Sequence, residues 1–397
     1  MISVEEAQQR VLAGVSTLPA ETVSLTDAAG RVLSGPLTAR RTQPPFAASA
    51  MDGYAVRAAD IGKVPVTLSQ VGAVAAGGLY EPNLQAGQCV RIFTGAPLPA
   101  GADTVVIQED TEADGDRILI KEAEAQGRHV RAAGLDFNAG DQRLSAGTHL
   151  SPRKLALAAA MDYPWLSVIR RPRVAILATG DEIVFPGEPI APSQIVASTS
   201  TALAGFVRAH GGEPVLLGVA HDTVESLRAA AAAARDADVL VTIGGASVGE
   251  HDLVQSALKQ DGLAVDFWKI AMRPGKPLMV GTLGNSQVLG LPGNPVSSMV
   301  CAVLFLRPLL YALQGRPGGI PQPATLRAGA ALVANGSRQD YMRARLDAEG
   351  RAVPFARQDS SMLTALADAD ALIVRPADAA ALAENDPVPA LVLDGLL

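Results

Sequence analysis

The chain has 397 residues, 48% hydrophobic and 18% charged, a globular composition with length for several domains, which excludes disorder over most of it. Lys plus Arg number 33 against 40 for Asp plus Glu, a net charge of −7, and aromatic residues make up 4%; nucleic-acid binding, which wants a basic field and stacking rings, is excluded. Cys89 and Cys301 form no C-x-x-C pair, so a zinc ribbon, an iron–sulfur cluster and a disulfide framework are excluded too.

The N-terminus opens with two acids where a signal peptide would carry positive charge, and the longest pure run of large apolar residues, Met299–Leu306, is too short for a bilayer. The expectation is a cytoplasmic protein without membrane contact. Residues 3–15 predict a helix, with Ser3 and Glu6 as a capping box and Val11, Leu12 and Val15 on one face. From 23 to about 140, Gly and Pro punctuate short apolar pieces at 64–71, 88–93, 103–108 and 117–120, the pattern of a β-rich domain. Residues 151–161 predict a helix with Ser151 as N-cap and Pro152 at its first position. From 172 strands and helices alternate: strands at 173–178, 215–219, 238–243, 264–270, 278–282 and 287–289, helices at 199–211, 223–235 and 252–260, and a long helix from Pro295 to about Leu313. That succession predicts an open, mostly parallel sheet with helices on both faces. The Pro/Gly cluster at 315–323 reads as a linker to a small β domain over 324–397.

Gly245-Ala246-Ser247-Val248-Gly249 matches the nucleophile elbow of hydrolases, but the only His after Ser247 is His251, so no acid-then-His order follows it. What remains at 244–252 is a glycine-rich turn after a buried strand, where Gly244, Gly245 and Gly249 let backbone amides approach an anion; an ordinary strand–helix turn is the plainer reading. Lys269, Arg273 and Lys276 fall within eight residues, two of them inside Arg-Pro-Gly-Lys-Pro, where rigid backbone can aim cations at an oxyanion; a solvated turn is the alternative. Leu291-Pro292-Gly293-Asn294-Pro295 reads as a strand followed by an N-cap and a first helical proline, a second helix N-terminus for the same crevice. Acids follow strands or open helices at Asp181-Glu182, Asp222 and Asp252; one or two such carboxylates with substrate phosphate would hold Mg²⁺, and helix capping is the alternative for each.

Pro44-Pro45-Phe46, Ser49-Ala50-Met51-Asp52-Gly53-Tyr54-Ala55, Ile92 to Pro97, Thr179-Gly180-Asp181-Glu182, Gly244 to Asp252, Phe267 to Lys269, Arg273 to Pro277, Leu291 to Pro295 and Tyr341 to Arg345 occur in one order over the whole chain. As a set they resemble the molybdopterin molybdenumtransferases, the MoeA and gephyrin E-domain family. The resemblance implies an elongated α/β plus β subunit: a discontinuous helical domain from 1–22 and 140–170 with part of 40–50, an inserted β-rich domain over 23–139, a three-layer molybdopterin-binding α/β domain over 171–318, and a C-terminal β-barrel over 319–397. It implies insertion of molybdate into adenylylated molybdopterin with release of AMP, a requirement for Mg²⁺, substrate from a molybdopterin adenylyltransferase, and a homodimer. In that dimer Asp52, Thr94 and Asp136 meet Glu182, Asp222 and Asp252 across subunits. Glu182, Asp222 and Asp252 are the implied metal ligands. Ser247, Pro292 and Pro295 join the glycines around the substrate, with Lys269, Arg273 and Lys276 as its cations. The chain departs from the family at Ala197, which replaces an acid in the stretch after Gln194-Ile195-Val196, at Leu135 before Asp136, at Arg273 in a Lys position and at Ala48. A non-catalytic paralogue that binds and delivers or senses the cofactor is the competing reading, and a lone adenylyltransferase is disfavoured by the flanking domains.

Overall fold

The computed structural model describes residues 1–244, 253–395 and 397. Runs of Val, Ile and Leu after residue 172 form strands β1 (Arg173–Thr179), β2 (Glu213–Ala220), β3 (Val239–Ile243), β4 (Ala264–Lys269), β5 (Pro277–Leu283) and β6 (Ser286–Leu291). They make one sheet in the order β2-β1-β3-β6-β5-β4. The first four are mutually parallel, and β5 alone is reversed. Alternate side chains feed two cores. Val174, Ile176, Val239 and Val241 pack on helices α1 (Ser198–Ala209), α4 (Pro295–Cys301) and α5 (Arg307–Leu313). Ala175, Leu177, Leu240 and Val288 pack on α2 (Val224–Ala233) and α3 (Leu253–Gln260).

The expected long helix is interrupted: between α4 and α5, residues Ala302–Leu306 form a π-helical turn. Pro308 has no N–H to donate to the Leu304 carbonyl four residues back. That carbonyl instead accepts from the Gln8 side-chain amide at 3.1 Å. The whole 295–313 run is long and apolar enough to cross a bilayer, but its most apolar stretch is 89% buried within the protein. Gln8 belongs to the helix Val4–Leu12, capped by the Ser3 hydroxyl on the Glu6 amide at 3.1 Å. Val4, Ala7 and Val11 of that helix enter the α1/α4/α5 core.

The strand Ala20–Ser24 returns to pair with Trp165–Ile169. Leu33, Leu37, Phe137, Leu150, Met161 and Val168 share one core, so residues 28–39 and 137–168 pack as a unit around the helix Pro152–Ala160. Ser151 stands at the N-cap position, yet its hydroxyl makes no capping bond. Between these pieces a six-stranded sheet runs Thr104–Ile107, Gly53–Val56, Gln88–Ile92, Val66–Val74, Arg117–Ile120, Thr111–Asp114, with a core on each face. The C-terminal strands Ala324–Arg327, Gln339–Leu346, Ala352–Pro354, Ala371–Arg375 and Pro387–Val392 curl until an Ala328–Ala352 bridge closes the circuit. Met272–Arg273 leaves the α/β domain to join this sheet parallel to Gln339–Asp340.

Candidate active site

Strand order reverses between β1 and β3, the place where open α/β sheets bind ligands beyond their carboxyl ends. A crevice of about 620 Å³ lies there. Thr179 and Glu182 line it from β1, Gly244 from β3, and Pro292, Asn294 and Pro295 from the β6–α4 turn. The sequence motifs at 179–182, 244 and 291–295 thus converge in one place. Gly245, Ser247, Gly249 and Asp252 lie outside the described residues.

The acids are organised by the pairing of β1 with β2. The Asp181 carboxylate accepts from His221 Nδ1 at 3.0 Å and from the Asp222 amide at 3.3 Å. These bonds hold Asp181 below the usual carboxylate range. Asp222 is pushed upward, by partial burial first and then by the charges of Asp181 and Glu182. Gly180 has φ +134°, a backbone conformation that side-chain-bearing residues rarely adopt, so the Thr-Gly-Asp-Glu turn favours its glycine.

Two helix N-termini face the crevice and are finished differently. Ala197 stands at the N-cap of α1 with no side-chain cap, and Ser198, Thr199 and Ser200 of the first turn line the crevice. Asn294 stands at the N-cap of α4, but its Nδ2 donates across to the Ser360 hydroxyl at 2.9 Å. The Ser360 carbonyl accepts from the Val296 amide at 3.1 Å. The C-terminal domain therefore caps α4, and its Ser361 and Leu363 wall the crevice. Sequence reading missed Ser198–Ser200 and the 360–363 segment. The first had a signal in the helix start after Ala197; the second had none locally, because its role comes from a contact between domains.

The three expected cations have different partners. Arg273 is 62% exposed and forks onto Asp340, 5% exposed in the C-terminal sheet, with Nε at 2.8 Å and Nη2 on the other oxygen. Its charge is paired with a carboxylate of the neighbouring domain, and Arg273 is not among the residues that line the crevice. Lys276 adjoins Pro277 on the crevice wall, and Lys269 Nζ lies 5.2 Å from the Trp268 ring; neither forms an ion pair among the described residues.

Asp52, Thr94 and Asp136 do not line this crevice. Asp52 Oδ1 accepts from the Thr94 amide and hydroxyl, both at 2.7 Å, which keeps the exposed carboxylate below its usual range. Asp136 is exposed, anchored by its amide to Gln43. Phe46, Met51, Phe93 and Leu135 beside them in sequence are exposed as well. Burial pushes the Cys89 and Cys301 thiols up to about 12, which leaves them protonated and poor nucleophiles at neutral pH.

The sequence matches the MoeA N-terminal region (domain I and II) over residues 2–161, the probable molybdopterin binding domain over 175–312 and the MoeA C-terminal region (domain IV) over 325–393. It is 38% identical to a molybdopterin molybdenumtransferase of Nostoc sp., covering 90% of this chain and 85% of that one. It is 36% identical to molybdopterin molybdenumtransferase 2 of Mycobacterium tuberculosis, covering 95% and 96%. The crystal structure of a molybdopterin biosynthesis MoeA protein from Pyrococcus horikoshii superposes with a TM-score of 0.86 at 32% identity over 99% of both chains.

Proposed function

The chain belongs to the molybdopterin molybdenumtransferase family, and from that premise we propose that it inserts molybdate into adenylylated molybdopterin during molybdenum cofactor biosynthesis, leaving AMP. The observation that carries the reading is the crevice at the β1/β3 reversal, where an uncapped helix N-terminus, Gly244, a carboxylate cluster and a lysine beside the wall with no ion pair among the described residues converge. The first-turn amides of α1 and the backbone at Gly244 suit the phosphate of the substrate. Lys276 and Lys269 supply a local positive field to collect dianionic molybdate in a net-acidic protein, and offset charge developing on the phosphoanhydride.

The donor set suits a hard divalent cation: Glu182 and Asp222 offer carboxylate oxygens, and the charge of Glu182 acts on Asp222. Mg²⁺ takes one or two carboxylates and completes its shell with water and substrate oxygens. No group of three ligating side chains closes among the described residues, and Asp252 lies outside them. Bound there, Mg²⁺ would supply polarisation of the phosphoanhydride. Asp181 fixes the Asp222 backbone and so orients the pair.

Asp52, Thr94 and Asp136 then act from a second copy of the chain in a homodimer. The setting is cytoplasmic, and an adenylyltransferase supplies the substrate. The deciding experiment follows AMP release from adenylylated molybdopterin with Mg²⁺, with and without molybdate. Molybdate-dependent release over many turnovers is expected; tight binding without release would leave a cofactor-binding protein.

A further inference from the structure

Away from the crevice, Arg307 at the start of α5 and Arg316 just past its end bring together positive charge with no ion pair among the described residues. Tyr311 is buried, and two guanidinium groups lie over its ring, that of Arg307 at 4.8 Å from the centroid and that of Arg316 at 4.0 Å. The Arg316 amide donates to the Tyr311 carbonyl at 2.8 Å, turning the chain back over the ring. Arg307 Nη1 donates to the Gly319 carbonyl at 2.8 Å, while its Nε is buried with no partner. The other domain approaches closely: a Cβ on Gly147 would sit 3.3 Å from the Gly315 carbonyl. His149 and Lys154 follow from that side. Burial, then Arg316, then Lys154 oppose protonation of His149, against a backbone hydrogen bond at Gly30 that favours it; burial and Arg307 oppose the charge of Arg316, while Tyr311 supports it by its charge and a side-chain hydrogen bond. The Ser151 hydroxyl, between His149 and Lys154 in sequence, is also buried without a partner.

None of Arg307, Arg316, His149 and Lys154 forms an ion pair among the described residues, although Arg10, Arg170, Arg228, Arg273 and Arg351 all do. Half-buried cations without a counter-charge are costly. Arg307 spends one N–H on Gly319 and Arg316 bonds to Tyr311, and the remaining N–H groups of guanidiniums stacked on a ring suit the forked contact that oxyanions accept. Two arginines and a lysine outweigh the charge of a monocarboxylate and suit a dianion.

We infer that this junction between α5 and residues 147–154 is a second anion site, built for a phosphate-class dianion, either the free ion or a phosphomonoester. It does not rest on the reading of the crevice.

The test is equilibrium dialysis in phosphate-free buffer, with radiolabelled inorganic phosphate in one arm and glycerol 3-phosphate in the other. The parent is compared with Arg316→Gln, Lys154→Ala and, at the crevice, Lys276→Ala. Saturable binding is expected, at least about tenfold weaker in Arg316→Gln and Lys154→Ala, as loss of a charge-assisted contact implies; Lys276→Ala removes any contribution of the crevice and leaves this component in place. A preference for glycerol 3-phosphate identifies an esterified ligand, and a preference for phosphate the free ion. Lys154 is partly exposed, so its variant carries the test if Arg316→Gln fails to fold. Absence of saturable binding, binding retained in both junction variants, or binding lost in Lys276→Ala would overturn the inference.

Discussion

Asp181 and Asp222 stand at the ends of neighbouring parallel strands and titrate in opposite directions. Asp181 is depressed, so its contribution to stability is present above its ordinary value and lost as pH falls. Asp222 is raised above its ordinary value near 3.8, so its ionised form works against the fold at neutral pH, and the penalty fades as pH falls through the raised value. Asp222→Asn is therefore expected to be more stable than the parent at pH 7, with the gap closing below pH 3.8; urea denaturation across that range measures it. The same variant is expected to lose AMP release, on the order of 10²-fold or more, if the carboxylate serves the metal. A variant that is both less stable and fully active contradicts the assignment. On the inserted domain, Thr94 holds Asp52 low through an amide and a hydroxyl. Thr94→Val deletes only the hydroxyl, so the Asp52 carboxyl should titrate higher than in the parent while the backbone bond persists. Side-chain carboxyl NMR reads this directly, and an unmoved titration would mean that the amide alone does the holding.

Among the elements, the turn between β4 and β5 is the most tightly determined. Gly275 has φ +104°, and a Cβ there would lie 2.7 Å from Cys301 Sγ and 2.9 Å from Met272 Cε. Cys301 is fully buried on α4 and Met272 is buried on the edge strand joined to the C-terminal sheet, so neither has room to yield. Gly275→Ala should cost about 2–4 kcal/mol, strain and overpacking together, seen as a lower denaturation midpoint with unchanged slope. Lys276 follows directly, so crevice function should fall with it. The elements were legible because β1, β3 and β6 are apolar-rich runs that stop at Gly180, Gly244 and Pro292, and helices such as Val4–Leu12 carry their caps in sequence. The π turn was not legible: Pro308 announces a lost bond, but the Gln8 amide that accommodates it lies 296 residues away. The commitment of Arg273 to Asp340, 67 residues on, was hidden for the same reason. Glu182, Gly244, Pro292 and Pro295, singled out by motif, line the crevice because each follows shortly after a strand end; Ser360 carried no such signal, since its contact is made from another domain.

At the scale of the molecule, the candidate residues fall into two groups on separate domains. Glu182 lines the crevice, and Asp222 bears on Glu182. Asp52 and Thr94 hold each other on the inserted sheet and do not line it. A residue whose carboxylate is exposed and pre-oriented, flanked in sequence by exposed Met51 and Phe93, suits a surface that closes against something else. In a two-fold dimer the same patch is used on both copies, so each crevice would receive Asp52 from its neighbour. This predicts complementation. Asp52→Asn and Glu182→Gln are each expected to be inactive alone. Unfolded and refolded together in equal amounts, they should form mixed dimers in which one of the two crevices pairs an intact Glu182 with an intact Asp52. With half the dimers mixed and half their sites restored, activity should return to about a quarter of the parent value. If both residues served one crevice within one chain, no mixture could restore it, and activity would stay at the level of the separate variants.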